Sequence, residues 1–210
     1  MKHSLLLLGV IAALAIGAPA YSQYIFMDAG VDSVCTSADV LTSSSTGVDI
    51  WLNTNHNKDG TAAVCSTNPA KTFNISSYAL LIHYGGSGSV AYNSYTNAVS
   101  AFTNNLDPLR TAGPDMSVSY ADPTPGAALS PGLYKLGRVN ITVTGTPQLS
   151  FLVVPTDINF VPVTGFGTEC LSPTWGNTIA LGYDFFDNCG TAGGTPTEST
   201  TWGRIKQLYK

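Results

Sequence analysis

Leu133-Tyr134-Lys135-Leu136-Gly137-Arg138-Val139-Asn140-Ile141-Thr142-Val143-Thr144 decides the fold class. Val139, Ile141 and Val143 share one face at a period of two, and Arg138, Asn140 and Thr142 share the other. That alternation marks a strand with one face on a core and the other in water. The next segment, Leu149 to Val154, is apolar on both faces, as a central covered strand is.

Working outward, the same period recurs in Val48-Asp49-Ile50-Trp51-Leu52-Asn53. There Val48, Ile50 and Leu52 point one way, and Asp49, Trp51 and Asn53 the other. From Phe73 to Tyr84 the residues Tyr78, Leu80, Ile82 and Tyr84 share a face. Shorter strands are expected at Gln23 to Asp28, Val90 to Tyr95 and Met116 to Ala121. Gly85-Gly86, Pro123 to Gly126 and Gly145-Thr146-Pro147 read as turns between them. Tyr95 to Asn105 reads as a short helix or an irregular crossover. The expectation is an all-β, antiparallel two-sheet sandwich with a short C-terminal helix or tail.

Charged residues make up 10% of the chain, with a net charge of −4, a balance that disfavours nucleic acid as a partner. Lys2 and His3 precede an apolar run from Leu5 to Ile16 and the small-residue site Ala18-Pro19-Ala20, the layout of a secretory signal peptide. The run is shorter than the about 20 residues that span a bilayer, and no later segment is apolar enough to do so. The expected organisation is a signal peptide over 1–20, a sandwich over 21–189, a Gly/Thr/Ser/Pro linker over 190–201 and an amphipathic tail over 202–210. The expected location is secreted, extracellular or at the cell surface.

Cys35, Cys65, Cys170 and Cys189 form an even set that reads as two disulfides in an exported chain. Three pairings are open; Cys35 with Cys65 and Cys170 with Cys189 each close a local loop and are favoured. No Cys-x-x-Cys pair points to zinc.

Asp28, Asp32 and Asp39 stand at positions 1, 5 and 12 of a dodecamer, the spacing of calcium-loop carboxylates. Against that reading, Gly30 sits where an oxygen ligand is expected, and Ser33 replaces the glycine that makes the turn. Plain Asx-turn chemistry competes with it. Asn55, Asn57 and Asp59 repeat an alternate oxygen spacing within Asn53 to Gly60. Lys58 lowers its affinity for a cation, and a polar hairpin closed by Asp59-Gly60 explains it as well. Calcium, as a structural ion, is the cofactor expected.

Catalytic patterns are weaker. Gly85-Gly86-Ser87-Gly88-Ser89 lacks the spacing of a nucleophile elbow and reads as a turn. His83 on its strand reads as a surface or half-buried side chain, and no pair of carboxyls is singled out for glycoside cleavage. Aromatic rings that stack on sugars are the better clue: Trp51, Trp175, Tyr183 and Phe185 are the candidate platforms. In the tail, Trp202, Ile205 and Leu208 line one face, suited to folding back on the sandwich or to docking a sorting partner.

Val48 to Leu52, Ile75 to Ile82 and Leu133 to Val143, in that order, resemble the cohesin-like family of bacterial extracellular sandwiches, which share a jelly-roll architecture with some cellulose-binding modules. The resemblance covers most of Tyr24 to Pro155. It implies a non-enzyme that binds a protein partner or polysaccharide. Asp28 to Asp39 is similar to a degenerate dockerin calcium loop, present once and without a following helix pair. Thr201-Trp202-Gly203-Arg204-Ile205-Lys206 is similar to the endings of other secreted bacterial proteins.

The functional expectation is therefore a secreted, adhesive, non-catalytic module for polysaccharide or a cell-surface protein. Two alternatives stand beside it: an extracellular polysaccharide hydrolase, and a structural subunit of an envelope layer or filament.

Overall fold

The computed structural model describes residues 24–36, 38–56, 60–65, 70–71, 73–124, 129–152, 164–168, 178–180 and 186–187. The stretches expected to be a signal peptide (1–20), a linker (190–201) and an amphipathic tail (202–210) lie outside them. Nine strands follow in chain order: β1 (Tyr24–Asp28), β2 (Gly47–Asn53), β3 (Ile75–Asn97), β4 (Asn104–Ala112), β5 (Asp115–Ala121), β6 (Leu133–Phe151), β7 (Gly165–Thr168), β8 (Thr178–Ala180) and β9 (Phe186–Asp187). Among the described residues there is no helix, so none is long and apolar enough to cross a membrane.

Two long strands organise the rest. β6 pairs with β2 through Leu133 to Asn140 and with β3 through Gly137 to Phe151. β3 pairs with β7 through Ile75 to Ala79, with β5 through Ser77 to His83, and with β6 from Ile82 onward. The resulting order is β4-β5-β3-β6-β2-β1-β9, with β7 and β8 branching from β3. Every pairing is antiparallel except that of β1 with β9, which is parallel.

The two flanks close over one core, which makes the molecule an all-β sandwich. Ile25, Met27, Val48, Ile50 and Leu52 from β1 and β2 join Leu136, Val139, Ile141 and Val143 from β6. The same cluster contains Tyr78, Leu80 and Ile82 of β3, Met116 and Val118 of β5, and Phe166 of β7. The alternation of Val139, Ile141 and Val143 is therefore realised, and burying each such side chain contributes about 1.5–3 kcal/mol as an upper bound.

Glycine-rich stretches that read as turns lie instead inside strands. Ile75 to Tyr84 and Val90 to Tyr95 are parts of one strand, β3; Leu133 to Thr144 and Leu149 to Phe151 are parts of one strand, β6. Gly85 to Ser89 pairs continuously with Thr144 to Gln148. Gly88 (φ 147°) faces Gly145 (φ 75°), and a Cβ on Gly145 would lie 2.7 Å from the Ser87 carbonyl oxygen. Backbone bends that need glycine thus turn the ribbon without breaking its ladder.

Of the two readings of Tyr95 to Asn105, a short helix or an irregular crossover, the structure takes the crossover. β3 runs to Asn97, whose side-chain amide donates to the carbonyls of Val99 (3.2 Å) and Phe102 (2.7 Å) and whose Oδ1 accepts from Val99 N (3.0 Å). That amide closes the crossover in place of helical hydrogen bonds and seats Phe102 on Tyr78, with ring centroids 6.0 Å apart. β4, with Pro108 in it, has no clear period in its sequence.

Tyr78 donates a hydrogen bond to the Leu136 carbonyl (3.0 Å) and lies 3.0 Å from the Tyr95 hydroxyl. Burial pushes the phenols of Tyr78, Tyr92 and Tyr95 well above the ordinary value. For Tyr95 the neighbouring Tyr78 adds to this, and for Tyr92 the Asp115 carboxylate does.

Candidate functional site: the acidic loop and the outer sheet faces

Where β1 ends at Asp28, the chain leaves the ladder and turns back over its own carboxylates. Carboxylate oxygens of Asp28, Asp32 and Asp39 lie within 4.8 Å of one another. Asp28 and Asp39 are buried and Asp32 is exposed. Backbone N–H groups hold them: Val31 (2.6 Å) and Ser33 (2.7 Å) donate to Asp28, Gly30 (2.9 Å) and Thr36 (2.7 Å) to Asp39, and Val34 (2.9 Å) to Asp32.

Ser33 takes the left-handed conformation (φ 66°) that glycine supplies at the sixth position of a calcium loop, and Val31 does too (φ 63°). Gly30 is needed at its place, since a Cβ there would lie 2.7 Å from Asp39 Oδ1. Val31, Val34 and Val40 are exposed while Asp28 and Asp39 are buried, the reverse of an ordinary surface loop. Each carboxylate oxygen keeps lone pairs beyond the N–H it accepts, so the triad is chemically suited to a hard divalent cation.

The second oxygen-rich segment is only partly described. Asn55 Oδ1 lies 2.8 Å from His56 Nδ1, His56 bridges to Ala62, and Ala63 N donates to Asn55 O (3.0 Å). This is hairpin geometry; Asn57 and Asp59 lie outside the described residues.

On the outer face of β1 and β2, Trp51 faces solvent in part and stacks on Phe26, with centroids 6.3 Å apart and planes at 8°. Tyr24, two residues along β1, also stacks on Phe26, at 5.8 Å. The three rings form one aromatic cluster, with the buried Phe26 touching two partly exposed rings. Trp51 Nε1 is buried and has no hydrogen-bond partner, so the ring rather than its N–H is what the surface offers. Trp175, Tyr183 and Phe185, and Trp202, Ile205 and Leu208 in the tail, lie outside the described residues.

Asp49, on the face opposite Val48, Ile50 and Leu52, is 1% exposed and bonded to both Lys135 Nζ and Arg138 Nη1 (2.8 Å). Lys135 and Arg138 have opposite parity along β6. A register shift between Ile50 and Trp51 brings both to the same carboxylate. Only such an irregularity joins them, so alternation could not reveal it.

The other flank holds a pair that sequence spacing does not show. His83 Nδ1 lies 2.7 Å from Asp115 Oδ1, the carboxylate buried and the imidazole about one-third exposed (34%). Register places Asp115 on one side of His83 and Ser150 on the other.

Cys35, inside the acidic loop, and Cys65 are each disulfide-bonded. Cys170 and Cys189 lie outside the described residues.

No protein-family model and no curated protein matches this chain. Among solved structures it is similar to the sixth cohesin from Acetivibrio cellulolyticus scaffoldin B, crystallised in complex with a mutant Cel5 dockerin. The identity is 13%, the TM-score 0.43, and the match covers 76% of this chain and 92% of that one. The sandwich assignment rests on the strands, register and core of this chain itself.

Proposed function

We propose that this chain is a secreted, non-catalytic module that binds polysaccharide or a cell-surface protein partner. The observation that carries the reading is the cluster Tyr24, Phe26, Trp51, whose rings are fixed by stacking on a sheet face rather than on a mobile loop. Preorganised aromatic surface loses little conformational entropy on binding and suits the C–H faces of sugar rings. The ion in this reading is structural: calcium at Asp28, Asp32 and Asp39 would tie the loop that leaves β1. The test is retention of the processed protein on insoluble polysaccharides. Retention that Trp51→Ala abolishes supports the reading, and retention unchanged by it removes the aromatic cluster from the binding surface.

A hydrolase is the second reading, favoured by the His83–Asp115 pair. A buried carboxylate on Nδ1 fixes an imidazole for proton transfer at Nε2. Release of reducing ends that is lost in His83→Ala would establish it.

A further inference from the structure

Between its two flanks the molecule is crossed by a ribbon formed from β3 residues 84–97 and β6 residues 137–149, and the outer face of that ribbon is unusual in its chemistry. On β6 it carries Asn140, Thr142, Thr144 and Thr146; on β3 it carries Ser87, Ser89, Ser94 and Thr96. All are exposed except Asn140, which is intermediate. From Ser87 to Thr96 and from Asn140 to Gln148 there is no charged side chain; at the end of the face Arg138, opposite Thr96, is paired with Asp49. The inner face supplies Val90, Ile141, Val143 and Leu149 to the core, so the outer one is held in place by packing.

The hydrogen bonds within this face have a definite sense. Asn93 Nδ2 donates to Thr142 Oγ1 (3.0 Å), and Asn140 Nδ2 donates to Ser94 Oγ (2.9 Å) and Thr96 Oγ1 (3.3 Å). Each hydroxyl that accepts from an amide keeps its own proton to give outward. Thr146 instead donates to the Ser87 carbonyl (3.3 Å), which leaves its oxygen to accept. Ser89 faces Thr144 in register, adding two hydroxyls between them. The result is an ordered lattice of donors and acceptors, about 4.8 Å apart across the strands and about 6.7 Å apart along them.

We infer that this face is a binding subsite for a neutral, polyhydroxylated polymer, an uncharged polysaccharide chain. The inference rests on the polysaccharide reading above and extends it. Asn140 is paired with Gly47 of β2, two residues from Asp49 and four from Trp51, so the lattice continues the sheet face that carries the aromatic cluster. The charge nearest the lattice, Arg138, is directed to Asp49 (2.8 Å), and from Asn140 to Gln148 no charged side chain selects an acidic or basic ligand. The absence of aromatic, Met and Arg side chains from Ser87 to Ala91 and from Asn140 to Gln148, Pro147 being the one ring there, is unlike the centre of a protein–protein interface. A sugar polymer offers the matching set of hydroxyl donors and acceptors.

The test uses the full processed chain and suspensions of cellulose, chitin and starch, with alginate as a charged comparator. The variant Thr142→Val/Thr144→Val/Thr146→Val keeps the β-branched shape and removes three hydroxyls. Unchanged far-UV circular dichroism and Tm confirm that it folds, and Thr144→Lys, which adds a charge without deleting packing, is the second probe. Retention of the wild type on a neutral polymer, weakened about tenfold or more in both variants, is the expected result. Wild-type retention that both variants keep, while Trp51→Ala loses it, overturns this subsite and leaves the polysaccharide reading standing. Retention on alginate alone also overturns it. No wild-type retention on any polymer overturns both.

Discussion

Gly88 and Gly145 face each other across β3 and β6, the former with φ 147° and the latter with φ 75°. Neither position accommodates a side chain, because the strands approach too closely where the ribbon bends. Gly145→Ala would set a methyl 2.7 Å from the Ser87 carbonyl oxygen in a left-handed backbone. The expected cost is about 2–4 kcal/mol, or on the order of 5–15 °C in Tm. Thermal unfolding within one degree of the wild type would refute the close approach.

The buried carboxylate of Asp49, held between Lys135 and Arg138, makes the second prediction. Asp49→Ala leaves two cations facing each other without their anion and is expected to destabilise by about 3 kcal/mol. Removing one cation, as in Lys135→Met, leaves the other in place and costs about 1 kcal/mol. Denaturant titration of the three proteins checks the order.

High pH provides a third. The folded protein holds the phenol protons of Tyr78, Tyr92 and Tyr95 more tightly than the unfolded chain does, chiefly through burial. Their contribution to stability is fully present below the unfolded value of about 10 and is lost as pH rises through it toward the folded values. Of the chain's ten tyrosines, these three should remain protonated until the protein unfolds cooperatively. Phenolate absorbance and circular dichroism, followed together, test this; all ten ionising ahead of unfolding would contradict it.

The acidic loop yields a fourth. With an affinity in the range of extracellular modules, calcium at about 10 mM would stabilise the fold by roughly 1.4–2.7 kcal/mol. Tm should rise in calcium relative to chelator, and Asp32→Asn, which alters an exposed ligand, should abolish the rise. Equal Tm values in the two conditions would mean that the backbone N–H groups alone balance the three carboxylates.

What could be read from the sequence divides along physical lines. Period-two patterns placed Val139, Ile141 and Val143 in the core, because one-sided burial imprints itself on every second residue. The convergence of Asp28, Asp32 and Asp39 was legible because it is local, set by the spacing within one turn. The continuity of β3 and β6 was not, since Gly85 to Ser89 and Gly145 to Pro147 have turn composition and only their mutual pairing makes them strand. His83 with Asp115, and Asp49 with Lys135 and Arg138, depend on register between strands far apart in the chain. A single sequence does not encode that register in any local pattern.

Binding without turnover is the central claim, and one experiment addresses it most directly. The protein is run through gels containing soluble neutral polysaccharide, while parallel incubations are assayed for new reducing ends. Retarded migration with no release of reducing ends is the predicted result. Unretarded migration, or reducing ends that accumulate and disappear in His83→Ala, would contradict it.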